Sequence, residues 1–390
     1  MLRSIKDIDL QNKRVLVRVD FNVDLAADGN VIDDFRIKAA LPTIKLLLEN
    51  GAKIILMSHL GDPGGAVNED LSLYPVRRKL AELLGRPVLG ARDCVGLVAE
   101  EAVSKIQPGM VLLLENLRFH KEEKENNSEF AKSLAMLGDV YVNDAFAVCH
   151  RNHASVSAIT KFLPSYAGLS LEKEVCVLEK AMKNPDHPLV VIMGGAKIST
   201  KIKLIKNFLN AADHILLGGA LANTVLRAQG LAVGDSVVEE EMVEAVKDFN
   251  LTDTKVHLPV DTVVSEDKSG KGKIKIASVG NTGPRELILD IGPETVELFS
   301  RIISSAKMIV WNGPMGLFEI DQFSRGTKEI IQAIAASDAF SIAGGGETVV
   351  YLDETGLAGK FSHISTGGGA MLDFLAGEKM PGIQALITNN

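Results

Sequence analysis

The chain has 390 residues, 46% hydrophobic and 24% charged, a globular balance with material for roughly two to three domains. A net charge of −8 excludes a broadly basic surface for nucleic acid, so an anionic ligand must be held by local cationic clusters, and no apolar run approaches the roughly 20 residues that cross a bilayer. Cys94, Cys149 and Cys176 are widely spaced with no CxxC and read as reduced thiols; with a charged N-terminus that lacks an apolar signal core, they lead us to expect a cytoplasmic protein without a membrane partner.

Strand-like and helix-like runs alternate along the chain. Residues 13–19 predict a strand, 36–50 a helix closed by Gly51, and 53–57, 110–114 and 139–142 further strands. Residues 171–183 carry the charge pattern of one exposed helix, broken by Asn184-Pro185 and His187-Pro188. Residues 189–193, 214–217, 308–311 and 340–343 predict buried strands, each leading to a glycine turn. Residues 265–275, rich in Lys, Gly and Ser, predict an exposed hairpin or loop. Apolar strands separated by helices predict parallel sheets covered on both faces. The expected fold class is α/β, with two doubly wound, Rossmann-like domains: 1–170, a connecting hinge helix over 171–185, and 186–377.

In the first half the strands run out into polar residues: Asp20, Phe21 and Asn22; His59, Leu60, Gly61 and Asp62; Arg118; and Arg151, with Arg36 opening the first helix. In such folds ligands sit beyond the carboxyl ends of the strands. Arginine presents a planar fork that matches phosphate or carboxylate. A lone arginine is more often half of a surface salt bridge, but several strand ends aimed at one rim favour a pocket for a phosphorylated acid. The run at 121–125 reads as a solvated charge cluster, and the adjacent Cys149 and His150 point apart on an extended chain. His214, His257 and His363 read as packing or surface residues.

In the second half, Gly194-Gly195-Ala196-Lys197 with Lys201, Gly218-Gly219, Asn312-Gly313-Pro314, Gly344-Gly345-Gly346-Glu347-Thr348 and Thr366-Gly367-Gly368-Gly369 each follow a strand or open a helix. Glycine lets backbone N–H groups approach an anion, and a helix N-terminus favours one. One such turn is ordinary, whereas several together point to nucleotide phosphates. The sequences GxxxxGK[S/T] and GxGxxG are absent at the expected places. Glu347 is either a ligand for phosphate-bound Mg2+ or a carboxylate favoured by the helix dipole.

The motifs RVDFNV (18–23), SHLG (58–61), ENLRF (115–119), HR (150–151), HAS (153–155), GGAK (194–197), WNGPMGLFE (311–319), GGG (344–346) and STGGG (365–369) closely resemble, in order, those of the phosphoglycerate kinases. The resemblance implies two lobes with a hinge, a tail at 378–390 packed back on the first lobe, a monomer, and Mg2+-dependent phosphoryl transfer between 1,3-bisphosphoglycerate and ADP, giving 3-phosphoglycerate and ATP in glycolysis. It assigns Asp20, Asn22, Arg36, His59, Arg118 and Arg151 to phosphoglycerate. Lys197 and Lys201 go to the nucleotide phosphates and the transferring group, and Arg36 and Lys201 flank that group once the lobes close. Gly195, Asn312, Pro314 and Glu319 line the nucleoside pocket, Gly345, Gly346, Glu347 and Thr348 hold phosphates and Mg2+, and Ala196, Gly219 and Leu317 are neighbouring nucleotide residues. Asp62 stands where the family has arginine, so either it points away or another cation compensates. Glu347 replaces an aspartate. A nicotinamide-dependent oxidoreductase and a catalytically weakened paralogue are the rival readings; the first lacks its glycine fingerprint, and the second rests on Asp62 alone.

Overall fold

In a computed structural model the structure describes residues 2–247 and 254–387. The chain divides into two compact units, Met1–Cys176 with Lys379–Asn390, and Val177–Glu378.

The first unit is built on strands β1 (Arg14–Arg18), β2 (Lys53–Met57), β3 (Val88–Gly90), β4 (Val111–Leu113), β5 (Val140–Asn143) and β6 (Ser165–Ala167), in the order β3-β4-β2-β1-β5-β6. Every pair is parallel. Val15, Leu16 and Val17, like Ile54, Ile55 and Leu56, are fully buried. Helices on both faces therefore explain the unbroken apolar runs. These include α1 (Phe35–Glu49), α2 (Tyr74–Leu84), α3 (Gly96–Ser104) and α4 (Ser128–Ala135). Local signals set their ends: α2 carries proline in its first turn and stops at Gly85 with φ 63°, and Asn127 caps α4 by accepting from two backbone N–H groups. The strand order reverses beside β1, so the carboxyl ends of β1, β2, β4 and β5 converge there.

Helix α5 (Leu169–Lys183) runs across the boundary of the two units. Its start is held by buried Asp144, whose Oδ1 accepts from Ser170 N at 2.9 Å and Leu171 N at 3.2 Å. The expected exposed helix needs correction: Leu171, Glu174, Val175, Leu178 and Ala181 are all buried. Their spacing, about one residue per turn, makes a buried stripe that the charges between them mask.

The second unit carries a parallel sheet of β7 (Leu189–Met193), β8 (His214–Leu217), β9 (Val256–His257), β13 (Met308–Asn312), β14 (Phe340–Ala343) and β15 (His363–Ile364), ordered β15-β14-β13-β7-β8-β9. A separate antiparallel sheet holds β10 (Asp261–Ser265), β11 (Ile274–Ser278) and β12 (Leu287–Ile291). Residues 266–273 are the β10–β11 connection, which agrees with the hairpin reading; the sheet around it was not foreseen. Helices α6 (Ile202–Ala211), α7 (Gly219–Ala228), α8 (Val243–Lys247), α9 (Pro293–Ser305), α10 (Arg325–Ala336), α11 (Gly346–Glu354) and α12 (Gly369–Leu375) complete it. Trp311, Phe299, Ile330 and Leu352 are fully buried in the core between sheet and helices.

The chain then returns to the first unit through α13 (Pro381–Gln384), where Gly382 N donates to Cys149 O at 2.9 Å and Arg3 N to Leu386 O at 3.4 Å. The last three residues of the expected tail, 388–390, lie outside the described residues, and its first, Glu378, belongs to the second unit, where it pairs with Lys203. Among the described residues no helix is long and apolar enough to cross a membrane.

Candidate active site

In the first unit the polar strand ends do meet. Beyond β1, Asp20 pairs with Arg36 at 2.5 Å, and Asn22 Oδ1 accepts from Gly61 N at 2.8 Å. Beyond β2, His59 is buried and Leu60 is clasped by Asn116, whose Nδ2 donates to Leu60 O at 2.7 Å. Beyond β4, Arg118 donates to Gly61 O at 2.6 Å, while its Nε is buried without a partner. Arg151 follows β5 and rests on the His150 ring, Nε to Nε2, at 3.2 Å. Phe21 is a core residue whose N–H bonds Ser58 Oγ at 2.9 Å, so its side chain packs under the site and its backbone fixes the turn.

Two further residues, Arg18 and Ser155, were quoted in motifs but given no role, and a third, Glu123, was read as solvated. Arg18 is 1% exposed; its Nε donates to Ser155 Oγ at 2.9 Å and its second terminal nitrogen lies 3.1 Å from His59 Nδ1. Ser155 in turn donates from N and Oγ to the two oxygens of Glu123, at 2.9 and 2.6 Å. Glu123 is fully buried. The solvated reading of 121–125 therefore fails at its centre: one carboxylate turns inward because a buried arginine–serine pair needs an acceptor. An arginine on the inner face of a strand was the signal in the sequence.

The electrostatics of this region are those of too many cations for too few anions. Burial, with Arg18, Arg118, Arg151 and His153, pushes the His59 pKa well below its ordinary value. Burial and then Arg118, Arg18, Arg151 and Lys124 hold that of His153 at about 3. Arg118 itself is lowered by burial and then by Arg151. Such a cluster suits a ligand carrying more than one negative charge. Asp62 sits on the rim with Lys124 Nζ 2.8 Å away, so its charge is paired within the protein.

In the second unit four turns knit together where the strand order reverses between β13 and β7. Gly195 N donates to Pro314 O at 2.7 Å, Gly219 N to Met315 O at 2.9 Å, Asn312 Nδ2 to Gly344 O at 2.6 Å and Gly313 N to Thr348 Oγ1 at 2.8 Å. Lys201 is buried, with its ammonium on Gly194 O. A Cβ at Gly313 (φ +93°) would stand 2.6 Å from that nitrogen and 2.4 Å from Gly194 O, so only glycine leaves it room. Burial brings the Lys201 pKa down to about 8, against the raising effect of Glu347.

Beside these turns lies a cavity of about 620 Å3. Gly195, Ala196, Gly219, Pro314, Leu317, Glu319 and Glu347 line it. Asn312 and Thr348 are buried residues that brace its wall, and Gly345 (φ +108°) precedes α11, with Gly346 its first residue. Lys197 is exposed and is not among the lining residues. The lining also includes Glu266, Asp267 and Lys268 from the β10–β11 connection and Asp290, all missed in the sequence because the antiparallel sheet was missed. Asp290 accepts from Gly326 N at 2.7 Å, and burial raises its pKa to about 7. A mostly apolar cavity beside glycine turns and a helix N-terminus fits a nucleoside with its phosphates. Glu347, an exposed carboxylate at that N-terminus, offers the hard oxygen donor that Mg2+ prefers.

A family model described as phosphoglycerate kinase matches residues 5–378. The chain is 49% identical over 387 residues to the phosphoglycerate kinase of Moorella thermoacetica, covering 98% of each chain, and 48% identical over 390 residues to that of Thermomicrobium roseum, covering 99% of each. The solved phosphoglycerate kinase of Coxiella burnetii superposes with a TM-score of 0.88 at 39% identity, covering 99% of both chains. That of Pyrococcus horikoshii gives 0.86 at 37%, covering 99% of this chain and 98% of the other.

Proposed function

The chain belongs to the phosphoglycerate kinase family, phosphotransferases with a carboxyl group as acceptor, and from that premise we propose how its residues share the work. The reaction is phosphoryl exchange between 1,3-bisphosphoglycerate with ADP and 3-phosphoglycerate with ATP, a step of glycolysis. The observation that carries the assignment is the cation excess around His59 and His153. Phosphoglycerate brings a phosphate and a carboxylate, which match it.

In the ATP-consuming direction a carboxylate oxygen of 3-phosphoglycerate attacks the γ-phosphorus, and the bond to the departing ADP oxygen breaks. The nucleophile is already ionised at neutral pH, so no general base is required. The task is to bring two anions together and stabilise charge on the moving group. We assign Asp20, Asn22, His59, Arg118 and Arg151 to phosphoglycerate, with Phe21, Leu60 and Gly61 shaping that pocket and Asp62 on its rim. Gly195, Ala196, Gly219, Asn312, Pro314, Leu317 and Glu319 serve the nucleoside, and Lys197, Gly345, Gly346 and Thr348 the phosphates. Arg36 and Lys201 go to the transferring group, enclosed when the lobes close and water is excluded. Glu347 would hold a Mg2+ that arrives with the nucleotide, neutralising phosphate charge as the bond breaks. The enzyme acts as a cytoplasmic monomer. A coupled assay with ATP, Mg2+ and 3-phosphoglycerate tests the assignment: ADP release that depends on 3-phosphoglycerate is expected, and its absence in folded protein would remove it.

A further inference from the structure

The loops that follow β3 and β4 emerge side by side, because those strands are parallel neighbours. The first carries Asp93 and Cys94, and the second, after a turn at Leu117–Phe119, carries His120. A carboxylate oxygen, a thiol sulfur and an imidazole nitrogen from these residues all lie within 4.8 Å of one another. None of them belongs to the site described above. We propose that they form a binding site for a borderline transition-metal ion of the zinc class.

Three features support a site rather than a chance meeting. The donors are sulfur, nitrogen and oxygen, a set that selects Zn2+ or Co2+ over Mg2+ or Ca2+. They are already oriented: Asp93 Oδ1 accepts from Cys94 N at 2.6 Å and lies 2.7 Å from His120 Nε2. The His120 ring also packs against Phe130 at 5.3 Å. Finally, the charged groups that act on the fully buried Cys94 sulfur are Asp93, Glu123 and Glu115, a local negative surrounding that favours a cation.

Asp93 and His120 are partly exposed, which gives an ion a way in. Tetrahedral bonds of about 2.0–2.3 Å put donors roughly 3.5 Å apart, so the Asp93–His120 contact opens and the sulfur closes in. Binding exchanges the Cys94 S–H bond for a metal–sulfur bond and releases that proton to solvent. Water completes the fourth position. The bound ion ties the β3–α3 loop to the segment that carries Arg118 and Lys124.

The test uses the full chain with Cys176→Ser, which removes the exposed thiol. Co2+ titration should give thiolate-to-cobalt charge-transfer absorption that saturates at one equivalent, is displaced by Zn2+ and is indifferent to excess Mg2+. Cys94→Ser should abolish the absorption. His120→Gln keeps a hydrogen-bonding group for Asp93 and serves if Cys94→Ser does not fold; it should weaken Co2+ binding at least about tenfold. A parent protein without the band at saturating Co2+, or His120→Gln protein binding with the parent's affinity, would overturn the proposal.

Discussion

Lys124 Nζ stands 2.8 Å from the Asp62 carboxylate on the rim of the cationic pocket. That hydrogen bond comes first among the causes that lower the Asp62 pKa, and Arg118 also acts on it. Both side chains are about half exposed, so the pair adds little to stability. Its effect falls on the charge seen by the ligand. Lys124→Ala should raise KM for 3-phosphoglycerate about three- to tenfold with kcat nearly unchanged. Asp62→Asn in the same protein should recover most of the loss, and Asp62→Arg alone should lower KM below the parent's. Steady-state kinetics at two salt concentrations check all three, and an unchanged KM in Asp62→Arg would sink the idea.

Arg36 is held by Asp20 at 2.5 Å and is only one-third exposed. If it acts on the moving phosphoryl, Arg36→Ala should lower kcat by about a hundredfold or more, as for other lost transition-state donors. Nucleotide affinity, read by calorimetry, should stay within about twofold of the parent's. Near-normal turnover would remove Arg36 from the transition state.

His153 is neutral in the folded protein, with its pKa at about 3 against 6.5 in the unfolded chain. Between these values the unfolded state binds the proton and the folded state does not. Stability from this residue is therefore intact above pH 6.5 and falls steadily as the pH drops toward 3. The expected loss is of order a few kcal/mol. Denaturant melts across that range check the slope, and His153→Gln should reduce it, leaving the share that His59 contributes in the same direction. A multiply charged anion should raise the His153 pKa, which histidine NMR resonances would report.

Glu123 accepts both hydrogen bonds that Ser155 offers, and Ser155 accepts from Arg18. Glu123→Ala leaves a buried arginine system short of its acceptor and should destabilise the protein by about 3–5 kcal/mol. Thermal melting measures this, and Glu123→Gln should lose less because it keeps the shape and one acceptor.

Gly313→Ala puts a methyl group 2.6 Å from the Lys201 nitrogen and 2.4 Å from Gly194 O. Lys201 must then leave its place. Nucleotide affinity should fall by about tenfold or more while phosphoglycerate affinity is kept. Separate calorimetric titrations distinguish this from general unfolding.

Much of the architecture was legible because β1, β2, β7 and β13 are continuous apolar runs, and glycines mark where they end. Short strands such as β3, β6, β9 and β15 left no periodic signal over two or three residues. The β10–β12 sheet was hidden because β10 buries Asp261, Thr262 and Ser265 beside its valines, while β11 and β12 are partly exposed. Site residues at strand ends could be read because the topology gathers them at one edge. Glu123 could not: its neighbours Glu122 and Lys124 face water or the rim, and nothing local says which carboxylate of the run turns toward Arg18. Asp62 was legible as an oddity, but its partner, Lys124, is 62 positions away.

The cluster of Arg18, Arg118 and Arg151 around two neutral histidines has a meaning for the free protein as well as the bound one. Like charges held this close repel, so the vacant pocket is the less comfortable form of the first unit. A bound dianion acts as the absent counter-charge and so supports the fold itself. By mass action, occupancy and stability then become one quantity. If phosphoglycerate binds there as proposed, its concentration in a cell helps to set how much of this protein is open to proteases.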